Sequence, residues 1–310
     1  MKKKILVAGG AGFIGYHLCK KLLKNNEVIC LDNFYTGSKQ NIEQLSKYNN
    51  FSFIKKNVQN SISLNCDEIY NLACPASPIK YQKNPIDTIK TNILGSINLL
   101  ELAKKNNAKI FQASTSEVYG DPLIHPQDEK YRGNVNTIGI RACYDEGKRL
   151  AESIFYDYFR THKINIKIGR IFNTYGPHMS ADDGRVVSNF IFSALKNKPI
   201  TIYGDGKQTR SFCYIKDTLE GILKLMNSKK SLKGPINIGS KKEITVLFLA
   251  KKIIKLTRSK SKIIFKAKVE DDPLKRKPDL TLAKKLLNWE QKIELDAGLL
   301  STINYFDKQL

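Results

Sequence analysis

Two short stretches concentrate side chains able to move protons. Residues 114–120 read STSEVYG, so Ser114, Thr115, Ser116 and Glu117 set four oxygen-bearing side chains in a row. Residues 141–149 read RACYDEGKR, with Tyr144 and Lys148 four positions apart. On a helix an i, i+4 pair shares one face. An ammonium beside a phenol favours phenolate, which makes Tyr144 a candidate general base for a sugar hydroxyl. The Ser-x-x-Glu spacing also fits a capping box. The next residues, VYGDPLIHP, break any helical period at Gly120, Pro122 and Pro126, so such a cap has no helix to open. The oxygens need neighbours from elsewhere in the chain.

A third stretch, GGAGFIG at 9–15, spaces Gly9, Gly12 and Gly15 as G-x-x-G-x-x-G. Glycine permits a tight turn and lets backbone N–H groups approach a pyrophosphate, with the positive end of a following helix behind them. The loop sits between a strand-like and a helix-like segment, and a second strand ends at Asp32 some 20 residues on. A carboxylate there accepts hydrogen bonds from ribose hydroxyls and repels a 2′-phosphate, so the expected cofactor is NAD over NADP.

The elements that must position these groups show in the hydrophobic pattern. Strands are expected at 4–8, 27–31, 51–55, 67–72, 108–114 and 165–171, and helices at 13–25, 38–47, 84–106 and 145–162. Strands alternating with helices predict βαβ units and a Rossmann-type, doubly wound parallel sheet, an α/β fold. After about residue 173 the texture changes. NTYGPHMSADDGRVV is loop-like, and shorter elements come after it: helices near 186–197, 217–227 and 245–256, strands at 200–203, 235–238 and 262–266, and two C-terminal helices. The expected organisation is an NAD-binding domain over 1–172 and a smaller α/β substrate-binding lobe over 173–310, with parts of 211–238 returning to the first domain. Helices 84–106 and 145–162 are long and apolar on more than one side, which makes a homodimer the default.

Composition bounds the rest. A chain of 310 residues with 41% hydrophobic content can bury a large core. No apolar run approaches the roughly 20 residues that span a bilayer. The basic start MKKKILVAGGAG has an apolar stretch too short for a signal peptide. Six scattered cysteines without a C-x-x-C pair suit reduced thiols in a cytoplasmic protein, and the four histidines show no metal-ligand spacing. The formal net charge of +23 raises the question of nucleic acid. Its lysines are spread singly and in pairs along the chain, with no focused stripe, so neither nucleic acid nor membrane is an expected partner.

The stretches GGAGFIG, LDNFYTG, NLACPASPIKY, STSEVYGDP, RACYDEGKR, RIFNTYGP, DGRVVSNFI and DDPLKRKPD run from residue 9 to residue 279. Together they resemble the extended short-chain dehydrogenase/reductase family, and within it the UDP-glucuronic acid decarboxylases. The first and fifth specify only the broad family; ACPASP, RACYDEGKR and DDPLKRKPD are narrower. The resemblance implies oxidation of C4 of a UDP-linked glucuronic acid, loss of CO2 from the β-keto acid, and reduction of C4 by the same cofactor. It implies Tyr144 as base, Lys148 as its partner, and Thr115 on the sugar O4. Ser116 and Glu117 fall near C5, and Arg276 reaches in from the C-terminal lobe. Asn173, Arg185, Tyr203 and Arg210 match positions holding the UDP moiety. Lys90 and Asn98, at i and i+8 of a long helix, face either substrate or solvent. Along the cofactor the resemblance implies Gly9, Gly12, Phe13, Ile14, Gly15, Asp32, Asn33, Phe34, Thr36, Gly37, Asn57, Val58, Leu72, Ala73, Thr91 and Thr174 with Tyr144 and Lys148. Asn57 stands where the family often has Asp, and its carbonyl still accepts from the adenine amino group.

Two relatives of this chemistry remain as alternatives. A nucleotide-sugar 4,6-dehydratase carries Thr-Asp-Glu at the strand end, where this chain has Thr115-Ser116-Glu117. A 4-epimerase lacks the Glu and needs its keto sugar to rotate. An idle NAD-binding scaffold is disfavoured, because every side chain the chemistry needs is present.

Overall fold

A computed structural model describes residues 2–181 and 184–310. Asp182 and Asp183 of the loop-like stretch, the second of them the first residue of DGRVVSNFI, lie outside the described residues. The first half runs β1 (Lys4–Ala8), α1 (Phe13–Leu22), β2 (Glu27–Asp32), α2 (Lys39–Leu45), β3 (Phe51–Lys55), β4 (Glu68–Asn71), α3 (Pro78–Lys83), α4 (Pro85–Asn106) and β5 (Lys109–Thr115). Next come a 3₁₀ turn (Ser116–Tyr119), α5 (Ala142–His162), β6 (Ile166–Ile171) and β7 (Thr174–Tyr175). The second half holds α6 (Val186–Leu195), β8 (Ile200–Tyr203), β9 (Thr209–Ser211), β10 (Cys213–Tyr214), α7 (Ile215–Met226) and β11 (Ile236–Ile238). It ends with β12 (Glu243–Thr245), α8 (Val246–Thr257), β13 (Ile263–Lys266), β14 (Lys275–Arg276), α9 (Thr281–Leu287) and α10 (Leu295–Asp307).

Side chains on a strand alternate between faces. In β1, Ile5 and Val7 enter one core while Leu6 and Ala8 enter the other. Both faces of the central sheet are therefore covered, as a parallel sheet requires. Its seven strands lie in the order β11-β6-β5-β4-β1-β2-β3, and every pairing is parallel. On one face α4 and α5 pack together, burying Leu99, Leu100, Leu102 and Phe155 against Ile110, Ile166 and Ile168. On the other, α1 and α7 contribute Leu18, Leu22, Ile222 and Leu225. Each fully buried side chain of this size stabilises the fold by roughly 1.5–3 kcal/mol.

The strand order reverses between β1 and β4, the switch point at which open α/β sheets bind ligands beyond their carboxyl ends. A small sheet of β12-β9-β14 stands opposite, with Arg276 of β14 registered beside Arg210 of β9. Two later elements join the main layer: α7 packs on β6 and α1, and β11 pairs with β6. Trp289, fully buried, donates to the Asp217 carbonyl at 3.0 Å and ties the C-terminal segment to α7. The expected helix at 84–106 is preceded by α3, which Pro78 opens. The helix expected from 145 starts at Ala142, so Tyr144 and Lys148 share its first two turns.

Candidate active site

A cavity of about 1030 Å³ opens over the carboxyl ends of the central strands and runs on to Tyr203, Arg210 and Arg276. One half is built by the glycine loop. Gly9 takes φ +80°, and a Cβ on Gly15 would stand 2.2 Å from the Gly9 carbonyl oxygen, so the loop and α1 close only on glycine. Gly12, Phe13, Ile14 and Gly15 line the wall with Gly9. Asp32 ends β2 buried. Its carboxylate accepts from Ala11 N at 3.1 Å and Phe34 N at 2.8 Å. Burial raises its pKa, and those backbone bonds work against the rise. Asn33, Thr36, Gly37, Asn57, Val58, Leu72, Ala73, Thr91 and Thr174 also line this half. A cradle closed by glycine with a backbone-fixed carboxylate at the next strand end is the donor set a dinucleotide needs, and these residues fit NAD.

The other half carries the proton chemistry. Thr115, Ser116, Glu117, Tyr144 and Lys148 meet at the end of β5 and the start of α5. Thr115 caps the 3₁₀ turn, its hydroxyl accepting from Glu117 N at 3.3 Å. Ser114 turns away, donating to Glu152 on α5. The strand-end oxygens are thus both a short cap and a cavity wall. Tyr81 of α3 stacks on Tyr144 with centroids 4.9 Å apart. Lys148 Nζ donates to the Ala113 carbonyl at 2.9 Å and lies 5.9 Å from the Tyr144 ring centroid.

Burial dominates the Tyr144–Lys148 pair. Burial pushes the Tyr144 hydroxyl well above its ordinary range, with Cys74 and Glu117 adding to the rise and the Thr115 hydroxyl opposing it. Burial also lowers Lys148. Lys148 Nζ is thus held on a backbone carbonyl beside Tyr144, and burial is the largest influence on both groups.

Glu117 takes the opposite course. Burial opposes its charge, but the guanidinium groups of Arg141 and Arg276 outweigh burial and hold the carboxyl at about 2. Arg276 brings both terminal nitrogens to Glu117, one to Oε2 at 2.7 Å. Arg141 Nη2 meets the same Oε2 at 2.5 Å. Both arginines are nearly sealed from solvent, Arg276 at 3% exposure and Arg141 at 5%. Arg210 is buried beside them and donates to Asp272 Oδ2 at 2.9 Å. Asn173, Arg185, Tyr203, Arg210 and Arg276 all line this half, with Arg185 over the Phe13 ring at 5.5 Å and Tyr203 half-exposed.

Three expected site residues lie elsewhere. Phe34 is not part of the cavity lining; its backbone turns at φ +62° around Asp32 and its ring packs on Phe53. Lys90 is exposed. Asn98 donates to the Val58 carbonyl at 2.9 Å, pinning the loop after β3. On α4 it is Thr91, about 100° round from Lys90, that faces the cavity. Conversely, Arg141, Tyr81, Cys74 and Asp272 line the site without having been singled out from sequence. Arg141 stands in RACYDEGKR, and no local pattern marks it, with Lys148, as buried where Arg149 is not.

The sequence profile described as the NAD dependent epimerase/dehydratase family matches residues 5–239. The chain belongs to this family. A relative from Arabidopsis thaliana, UDP-glucuronic acid decarboxylase 5, is 53% identical over 96% of this chain and 87% of its own length. UDP-glucuronic acid decarboxylase 1 from Xenopus tropicalis is 49% identical over all of this chain and 73% of its own. Among solved structures, UDP-glucuronic acid 4-epimerase from Bacillus cereus, in complex with UDP-glucuronic acid and NAD, superposes with a TM-score of 0.90. It is 31% identical and covers 99% of this chain and 100% of its own.

Proposed function

We propose that this protein is a carboxy-lyase that converts UDP-glucuronate to UDP-xylose and CO2 through a UDP-linked 4-keto intermediate. The observation that carries this reading is one cavity joining Tyr144, Lys148 and Thr115 to a Glu117 that Arg276 reaches from the far lobe. Family members at about half identity along nearly the whole chain act under the decarboxylase name.

NAD held by Gly9, Gly12, Gly15 and Asp32 would supply the hydride acceptor and donor for C4, and the positive charge of its oxidised nicotinamide ring would favour phenolate nearby. Tyr144 takes the O4 proton as C4 is oxidised, with Thr115 hydrogen-bonded to O4. Lys148 fixes the ribose side. The carboxylate at C5 is then β to a ketone. As the C5–C6 bond breaks, its electron pair passes to the C4 carbonyl oxygen and CO2 departs. Negative charge moves from the carboxylate toward Thr115 and Tyr144, away from the ionised Glu117, so like-charge repulsion is relieved. Ser116 lies between these groups and is no acid, which removes the proton donor that a 4,6-dehydratase needs to expel a hydroxyl. C5 takes up one proton from solvent, and C4 is reduced as Tyr144 returns the proton to O4, so each cycle consumes one proton and no external reductant. Asn173, Arg185, Tyr203 and Arg210 hold the UDP moiety.

The division at 172/173, with parts of 211–238 returned to the first unit, is part of this reading. So are a homodimer through α4 and α5, where Ile86, Leu94 and Leu150 are exposed, and a cytoplasmic setting that keeps the cysteines reduced.

The test is purified protein given UDP-glucuronate without added reductant. Release of UDP-xylose and CO2, identified by mass, is expected. UDP-galacturonate without CO2 would identify a 4-epimerase instead. A stoichiometric NADH product with free 4-keto pentose would mean an oxidative decarboxylase.

A further inference from the structure

Glu117 has two arginine partners, and they differ in what else holds them. Arg276 arrives on β14, and among the described residues its ion pair is with Glu117. Arg141 arrives from the residue preceding α5 and shares Glu117 Oε2 with it. Behind Arg141 stand two further carboxylates. Asp145, one turn along α5, lies 3.8 Å from Nε, and Asp272 lies 3.7 Å from Nη1. Both distances exceed a direct hydrogen bond, and among the described residues neither Arg141 Nε nor Asp145 Oδ1 has a hydrogen-bond partner. Arg141 thus has acidic neighbours besides Glu117, while Arg276 is committed to one carboxylate across the cavity.

The cluster also carries spare positive charge. Arg141, Arg210 and Arg276 face Glu117 and Asp272, and burial with the nearby Glu117 charge pushes the Asp145 carboxyl up to about 8. Asp271 also faces Asp145, so the surplus is local: three guanidinium groups meet two paired carboxylates. A second carboxylate entering the cavity meets an unbalanced cation, and the bidentate geometry of Arg276 suits it as well as it suits Glu117.

We propose that Arg141 is a positioning residue for decarboxylation: it keeps Glu117 in register while Arg276 passes from Glu117 to the carboxylate of the substrate. This rests on the decarboxylase reading above. Burial alone would favour uptake of a proton by Glu117 once its bidentate partner left. Arg141 remains as the counter-charge, with the Asp272 carboxylate behind it. The other titratable groups facing the pair are Tyr81 and Tyr144, both raised by burial. Among these groups, the charge nearest Glu117 during the exchange is therefore Arg141.

The experiment uses the NAD-loaded protein with Arg141→Gln and Arg141→Lys, following CO2 release from UDP-glucuronate between pH 5 and 9 and measuring UDP affinity separately. For Arg141→Gln, kcat falls about 100-fold, the scale of losing one preorganised donor. KM and the Kd for UDP stay within threefold, and the acid limb of the kcat profile moves to higher pH. Arg141→Lys lies between this variant and wild type in both rate and limb. A raised KM with kcat intact would overturn the proposal, because Arg141 would then bind the substrate itself. So would a uniform fall across pH with the limb unmoved, the mark of a purely structural role. Should Arg141→Gln fail to fold, the Lys variant decides: a limb above wild type supports the proposal, and a coincident limb overturns it. Wild type that releases no CO2 overturns the decarboxylase reading and this proposal with it. Wild type that does, with an unchanged Arg141→Gln profile, overturns this proposal alone.

Discussion

Glu117 and Tyr144 share a cavity that drives them apart in charge. Burial pushes both toward their neutral forms, and Glu117 resists because two guanidinium groups outweigh desolvation. Replacing Tyr144 by Phe removes the proton acceptor for O4, so single-turnover absorbance at 340 nm should show C4 oxidation slowed at least about 10³-fold. Replacing Glu117 by Gln should leave NAD bound while blocking turnover. It also strands Arg141 and Arg276 without their shared partner, and removing one member of a buried ion pair costs about 3–5 kcal/mol. Chemical denaturation of Glu117→Gln should show a loss of that order, reduced when glucuronate is added. The pH sign comes from the same shifts. The depressed Glu117 carboxyl stabilises the fold above the ordinary carboxylate range, and that contribution is lost as pH falls toward 2. Asp145, raised to about 8, acts in reverse: its protonated form suits the fold, and stability is lost as pH rises from about 4 through 8. Asp145→Asn should therefore raise the melting temperature more at pH 8.5 than at pH 5. At this scale the sequence was informative about which residue types could do the chemistry. Their protonation states were hidden, because burial and the arrival of Arg276 are set by distant parts of the chain.

The elements explain which placements could be read in advance. β1 to β6 and the long helices announce themselves through period-2 and period-3.6 patterning, and their observed bounds differ from the expected ones by a few residues. The glycine loop is equally local: Gly15 has no room for a Cβ. Gly15→Ala should force the loop open and release NAD on gel filtration, where wild type retains it. The strands β9, β12 and β14 have two or three residues each, too few for any period to show. Yet the pairing of β14 with β9 is what carries Arg276 beside Arg210. Lys90 and Asn98 illustrate the converse, since helical spacing fixes which residues share a face but not where that face points. α5 is held in place by a network no sequence pattern reveals. Glu152, one turn beyond Lys148, takes Ser114 and a bidentate Arg170, and Arg170 continues to Tyr119. Glu152→Gln should weaken this anchor and lower kcat several-fold, with little change in KM.

For the whole molecule, the charge of +23 is carried by lysines spread across the surface. Such a field raises the encounter rate of a multiply anionic substrate and is screened within about 10 Å at 0.1 M salt. Raising the ionic strength should lower kcat/KM for UDP-glucuronate more than kcat. The topology has a consequence for how the chain is made. The strand that pairs with β6 on its outer side, β11, comes from Ile236–Ile238. A nascent chain releases β6 from the ribosome long before β11 has been translated. During that interval the β6 backbone is an unpaired parallel edge, flanked by apolar side chains whose covering helix α7 is also still missing. Such an edge accepts strands from neighbouring nascent chains. Premature termination anywhere between residues 172 and 236 therefore yields a fragment prone to cluster with others of its kind, and the two halves of the catalytic cavity reach the cell as a single translational commitment.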